Sequence, residues 1–380
     1  MKDLSDCRVL IVDDVKANVD ILVDALRPEY KLSVALCGAQ ALSAIDRHPP
    51  DLVLLDIVMP DLDGYEICRR LRAAEATRDL PIMFLSSLED VKDKARGFEV
   101  GANDYVTKPF EILEVKARVR SLLKAKAYAD AVRAAAERDL RIAREIQTGL
   151  LPADIPAQIA DMGLEVDAQL ESAQHVGGDL FEVRRLADGR LLVAVGDVSG
   201  KGIPAALFMA VTMTILRSMA RQGHPPEDIL RQLNEELLEQ NPRGMFVTLQ
   251  LLVFDPVHRR VTCASAGHHG AARITPGQAP RLVFASSGRV LGLLPAGGFA
   301  SETLAMEAGD TFVLFTDGVS EAFGPAEELF GEDRLLAHLE AASRASARET
   351  TAGVLEAVRA HAAGTKQSDD ITIVTVRCAG

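Results

Sequence analysis

Short unbroken apolar runs alternate with helix-like periodicity over the first third of the chain. Val9–Val12 precedes a helical pattern from about Ala17, Val53–Leu55 precedes one from about Tyr65, and Ile82–Leu85 precedes another. Strands that are apolar at every position must be covered on both faces, and helices between successive strands make the strands parallel. The pattern predicts a doubly wound α/β domain with its ligand site at the carboxyl ends of the strands. Asp13, Asp14, Asp56, Ser86 and Lys108 all fall at such ends.

The pattern then changes twice. From Lys124 to Leu151 there is no proline and no glycine before Gly149, while Ala, Arg and Glu abound, which predicts one long helix. Ala129, Val132, Ala136, Ala143, Ile146 and Leu150 recur at heptad-like spacing, interrupted by Asp139. Such a helix either pairs with that of a second copy in a short parallel coiled coil, giving a homodimer, or lies on its own domain. Pro152 and Pro156 stop it. Beyond them, strand-like runs at Leu191–Val195, Thr248–Phe254, Arg260–Ala264, Thr311–Phe315 and Ile371–Val376 are interspersed with helical patterns near Ala205–Met219, Ile229–Gln240, Asp333–Ala342 and Glu349–Ala362. That order predicts α+β layering around antiparallel sheets. The expected domains are residues 5–123, a helical linker over 124–152, and residues 153–380.

Composition narrows the class. A chain of 380 residues, 48% hydrophobic and 26% charged, suits two globular domains. No apolar run reaches the ~18 residues of a membrane span. The first residues, with Asp3 and Asp6, do not read as a signal peptide. Five cysteines, odd in number and without C-x-x-C or zinc spacing, read as reduced thiols of a cytoplasmic protein. A net charge of −13 with no tryptophan argues against a nucleic-acid surface.

The candidate chemistry lies in two sets of aspartates. Asp13, Asp14 and Asp56 crowd one sheet edge, where their repulsion calls for a hard divalent cation such as Mg²⁺. Lys108 can place a compact cation on phosphoryl oxygens there, and Ser86 a hydroxyl. The second set sits in glycine-rich contexts: Gly177-Gly178-Asp179, Gly196-Asp197-Val198, Thr316-Asp317-Gly318 and Asp369-Asp370-Ile371. Carboxylates so distant in sequence yet alike in setting suggest a binuclear site of Mg²⁺ or Mn²⁺ bridging an activated water. A phosphate loop at Gly200-Lys201-Gly202 fails, because position 195 is Val and no Ser or Thr follows Lys201.

With its Asp13-Asp14 pair, Leu55-Asp56-Ile57-Val58-Met59-Pro60, Pro81 to Ser87 and Asp104-Tyr105-Val106-Thr107-Lys108-Pro109-Phe110, the first domain resembles a response-regulator receiver. The resemblance implies a flavodoxin-like fold phosphorylated on Asp56 by a histidine kinase or phosphotransfer protein. It implies Mg²⁺ held by Asp14, Asp56 and the Val58 carbonyl with Asp13 behind, Ser86 and Tyr105 as a switch pair, and Lys108 on the phosphoryl group. Lys94, Asp104, Glu114 and Arg118 match positions that form cross-dimer ion pairs in DNA-binding response regulators.

The later motifs, together with Ala143-Arg144-Glu145-Ile146-Gln147 and Leu150-Leu151-Pro152, resemble the SpoIIE branch of the metal-dependent protein phosphatases, relatives of protein phosphatase 2C. This implies a β-sandwich flanked by helices that hydrolyses phosphoserine or phosphothreonine, on the substrate side a phosphorylated anti-sigma-factor antagonist. By position, Asp197 bridges two ions, Val198 and Asp179 serve one, and Asp317 and Asp369 the other. Asp370 stands where relatives often have Asn, Glu182 where the branch shows a second Asp, and Ser199 where eukaryotic relatives carry a histidine acid. The alternative is a non-enzymatic adaptor that keeps this fold and binds a sigma factor or other partner.

Overall fold

The computed structural model describes residues 3–87, 91–285, 289–295, 298–342 and 344–379. The chain divides into two units, Met1–Arg138 and Asp139–Gly380. In the first, β1 (Arg8–Val12), β2 (Lys31–Ala35), β3 (Leu52–Asp56), β4 (Ile82–Ser86) and β5 (Asp104–Thr107) alternate with α1 (Lys16–Leu26), α2 (Gly38–Arg47), α3 (Gly64–Ala73) and α4 (Val91–Glu99). All pairings are parallel, in the order β2-β1-β3-β4-β5. One face of the sheet packs Leu10, Leu55 and Phe84 against α2 and α3; the other packs Ile11, Leu54 and Leu85 against α1 and the start of α5. Covering on both faces explains why these strands read as continuous apolar runs.

Helix α5 is longer than the expected linker and runs unbroken from Ile112 to Leu150. The linker is thus not a separate element: the helix begins with Val115, Val119 and Leu123 in the receiver core and continues for seven further turns of mostly exposed residues.

The second unit opens with α6 (Ile155–Ile159), β6 (Leu164–Glu171), β7 (Leu180–Arg185) and β8 (Leu191–Val198). There follow α7 (Ile203–Ala220), α8 (Pro226–Glu239), β9 (Val247–Asp255), β10 (Arg260–Ala266), β11 (Ala271–Ile274), β12 (Arg281–Val283), β13 (Ser301–Ala305) and β14 (Thr311–Phe315). The chain ends with α9 (Asp317–Ser320), α10 (Gly331–Ala341), α11 (Ala347–His361) and β15 (Ile371–Cys378). Two antiparallel sheets result, ordered β13-β10-β9-β8-β7 and β12-β11-β14-β15-β6. Between them lie Phe181, Val193 and Phe254 from one sheet and Phe312, Leu314 and Val374 from the other. Helices α7 and α8 cover the outer face of the first sheet, and α10 and α11 that of the second, giving four layers. By length and composition α7 could cross a membrane; Ala205, Met209, Met213 and Leu216 bury one of its faces against the sheet.

One buried ion pair locks the second sheet. Asp310 has no exposed surface and accepts from Arg273 (2.5 Å), the Thr275 hydroxyl (2.7 Å) and the Glu307 amide (2.8 Å). Truncating one partner of such a pair strands the other charge in a low-dielectric interior. Asp310→Ala should therefore lower the stability of this unit by about 3–5 kcal/mol, read as a shift in its urea unfolding midpoint.

Candidate functional site

At the receiver strand ends, Asp13 and Asp56 are buried and Asp14 is exposed. Their ligand oxygens lie within 4.8 Å of one another. Lys108, on the loop after β5, places its ammonium 2.7 Å from Asp13 Oδ2 and 2.6 Å from Asp56 Oδ2. Burial pushes the Asp56 carboxyl above its ordinary range against the pull of Lys108. Burial draws the Lys108 ammonium down, but Asp13 and Asp56 more than offset this and hold it above the usual lysine value. Asp13 also accepts from the Val15 amide and Asn18, and Asp56 from the Val58 amide. Ser86 ends β4 and Tyr105 lies on β5; both are buried. The three acidic groups and their lysine suit a hard cation with oxygen ligands. Arg118 pairs within its own chain with Asp104 (2.8 Å) and Glu114 (2.8 Å); the Lys94 side chain lies outside the described residues.

The second unit brings aspartates from four distant segments into one electrostatic field. Asp179 precedes β7, Asp197 lies on β8, Asp317 opens α9, and Asp369 and Asp370 precede β15. Asp197 is held above the usual carboxylate range, first by burial and then by the charges of Asp317, Asp369 and Asp370. Asp179 shifts the same way through burial and then the charge of Asp197. Burial followed by Asp369 raises Asp317. This set of anionic oxygens, with the Val198 carbonyl beside it, fits Mg²⁺ or Mn²⁺. A Cβ on Gly178 would sit 2.6 Å from the Val198 oxygen and 3.0 Å from Asp197 Oδ1, so only glycine lets this loop close on the site. Gly318 is under the same constraint, with the Asp370 carbonyl 1.8 Å from where its Cβ would be.

The aspartates differ in what else they hold. Asp179 Oδ2 accepts from Thr372 (2.6 Å) and Thr316 (2.8 Å), two residues to which sequence reasoning gave no role. Asp369 accepts from Lys201 at 2.9 Å. Asp370 spends both oxygens on main-chain amides, those of Ala173 (2.8 Å) and Gly178 (2.9 Å), and so ties down the loop that leads to Asp179. Among the described residues, no three phosphatase carboxylates approach as closely as the receiver trio.

Glu182 is placed elsewhere. Its buried carboxylate takes Arg217 of α7 at 2.5 Å and Arg184 at 3.2 Å, so its oxygens serve two arginines and not the aspartate cluster. Ser199 accepts from the Phe246 amide at 2.8 Å. His268, buried between the sheets, bonds to Thr248 through Nδ1 (2.9 Å) and to the Phe315 carbonyl through Nε2 (3.0 Å). Burial, then His269, lowers it to about 4, so it is a neutral pin below the strand ends.

Residues 9–120 match the response regulator receiver domain, and residues 187–379 match Stage II sporulation protein E (SpoIIE). Response regulator PleD of Caulobacter vibrioides is 41% identical over 127 residues, which are 33% of this chain and only 28% of that relative. The SiaA-PP2C domain of Pseudomonas aeruginosa superposes with a TM-score of 0.58 at 23% identity, covering 65% of this chain and 98% of that one. The PP2C phosphatase domain of the cell fate determinant SpoIIE from Bacillus subtilis gives 0.50 at 19% identity, covering 56% and 63%. At these identities the two likenesses speak for fold. The two units are accordingly a receiver domain and a PP2C-type phosphatase domain. The chain belongs to the SpoIIE family.

Proposed function

We propose that this chain is a cytoplasmic, metal-dependent protein serine/threonine phosphatase whose rate is set by phosphorylation of Asp56 by a histidine kinase or phosphotransfer protein. The observation that carries it is the gathering of Asp179, Asp197, Asp317 and Asp369 from four separate segments into one field of negative charge. Asp197 would bridge two Mg²⁺ or Mn²⁺ ions, with Asp179 and the Val198 carbonyl on one and Asp317 and Asp369 on the other. Bound there, the ions supply an activated water and neutralise phosphoryl charge. The chain's own part is to hold the carboxylates: Thr316 and Thr372 orient Asp179, and Asp370 fixes the loop before it. Ser199 accepts from the Phe246 amide, and a serine hydroxyl is too weak an acid to replace a histidine, which leaves water or another group to protonate the leaving group.

Membership of the SpoIIE family supports a phosphorylated anti-sigma-factor antagonist as substrate. Exposed Val132, Ile142 and Ile146 on α5 support a homodimer through that helix, which offers a route from receiver to phosphatase. An adaptor that only binds a partner has no use for four retained carboxylates. The test is phosphate release from a phosphoserine peptide. Turnover should require added Mn²⁺ and fall to background in EDTA, and rates indifferent to chelation count against the reading.

A further inference from the structure

The last turns of α5 reach the metal-site loop through one side chain. Gln147 donates from Nε2 to the Gly177 carbonyl at 2.6 Å and accepts from the Gly177 amide through Oε1 at 3.2 Å, so a single side chain satisfies both polar groups of that residue. Gly177 is buried, and the next amide, that of Gly178, is held from the other side by Asp370. Asp179 follows at once. The helix end is itself fixed: the Leu150 carbonyl accepts from the Arg217 guanidinium, which also bonds to Glu182 on β7. Gln147 therefore grips the start of the segment 177–179, and Arg217 fixes the helix against β7, into which that segment runs.

We propose that Gln147 is a positioning residue for the phosphatase metal site, holding the Gly177–Asp179 loop so that Asp179 meets Asp197 in the geometry that binds metal. This rests on the metal-dependent reading above. A helix rises about 1.5 Å and turns about 100° per residue, so even a one-residue shift of α5 breaks both bonds at Gly177. Metal affinity thereby depends on the register of the helix.

Gln147→Met keeps the length and helix propensity of the side chain but neither donor nor acceptor, and Gln147→Ala removes the grip altogether. Both should be made in the full chain on a parent background carrying Asp13→Ala and Asp56→Ala, which silences the receiver's cation site, and titrated with MnCl₂ by calorimetry, alongside p-nitrophenyl phosphate turnover over a range of Mn²⁺. The expected result is Mn²⁺ binding about tenfold weaker in both variants, the scale of losing a residue that orients a ligand. At saturating Mn²⁺, kcat should return to within about twofold of the parent, while the unpaired Gly177 amide and carbonyl lower the melting temperature in EDTA. Parent-like Mn²⁺ affinity in Gln147→Met, or a kcat deficit that saturating Mn²⁺ leaves in place, overturns the role of Gln147 while the phosphatase reading stands. A parent chain that binds no Mn²⁺ overturns both.

Discussion

Replacing Asp197 with alanine should reduce Mn²⁺-dependent hydrolysis of p-nitrophenyl phosphate by about a thousandfold, the scale lost when a central electrostatic element of an active site is removed. Asp197 is raised by burial and the charges of Asp317, Asp369 and Asp370 and in turn raises Asp179, so it sits where their fields meet. In the proposed binuclear centre it is the carboxylate that would serve both halves. The same geometry gives the substitution a second, opposite consequence. A carboxyl whose folded pKa is raised costs stability progressively as pH climbs from its unfolded value, about 3.9, to the raised one, and the full cost of the charge that burial and repulsion disfavour is present above it. At pH 8 in EDTA the alanine variant should therefore melt at a higher temperature than the parent. Lower activity together with higher metal-free stability is the signature of a site built around repulsion that metal relieves. Retained activity, or a lower melting point in EDTA, speaks against that construction.

The receiver half was legible because each of its central strands is buried on both faces. Val9–Val12, Val53–Leu55 and Ile82–Leu85 stood out as runs, and aspartates at their ends marked the site. The edge strand β2, Lys-Leu-Ser-Val-Ala, carries mostly partly exposed positions and showed no such run. The phosphatase half was read through glycine-aspartate motifs more than through its strands. β6 is half-buried along nearly its whole length, and β7 carries Glu182, Arg184 and Arg185, so neither presents an apolar run. Least visible were the partnerships that orient the site. Thr372 reaches Asp179 across 193 residues, Asp370 reaches Gly178 across 192, and Glu182 meets Arg217 across 35. A substituted motif position such as Glu182 looks in sequence like a modified metal ligand. Only the fold shows that an arginine from α7 takes its charge.

Asp56→Ala should abolish the response of phosphatase rate to a small phosphodonor such as acetyl phosphate. Asp56 is the carboxylate whose Oδ2 lies 2.6 Å from the Lys108 ammonium, at the end of a strand that holds it in place. A phosphoryl group there would exchange one carboxylate oxygen for three strong acceptors within reach of Lys108 and Ser86. To invert a two-state equilibrium from 1:99 to 99:1, the modification must favour one state by about 5.5 kcal/mol. Charge-assisted hydrogen bonds contribute about 1.5–3 kcal/mol each, so two or three new bonds at this site are enough, and Lys108 alone is not. Lys108→Ala should consequently blunt the response while leaving phosphorylation detectable, whereas Asp56→Ala removes both. Phosphate-affinity gel shifts and turnover measured on the same samples separate the two variants. A rate that still responds to acetyl phosphate in Asp56→Ala would place the control elsewhere. If Asp56 is labelled in the parent without any change in rate, the receiver and the phosphatase are not coupled through this residue.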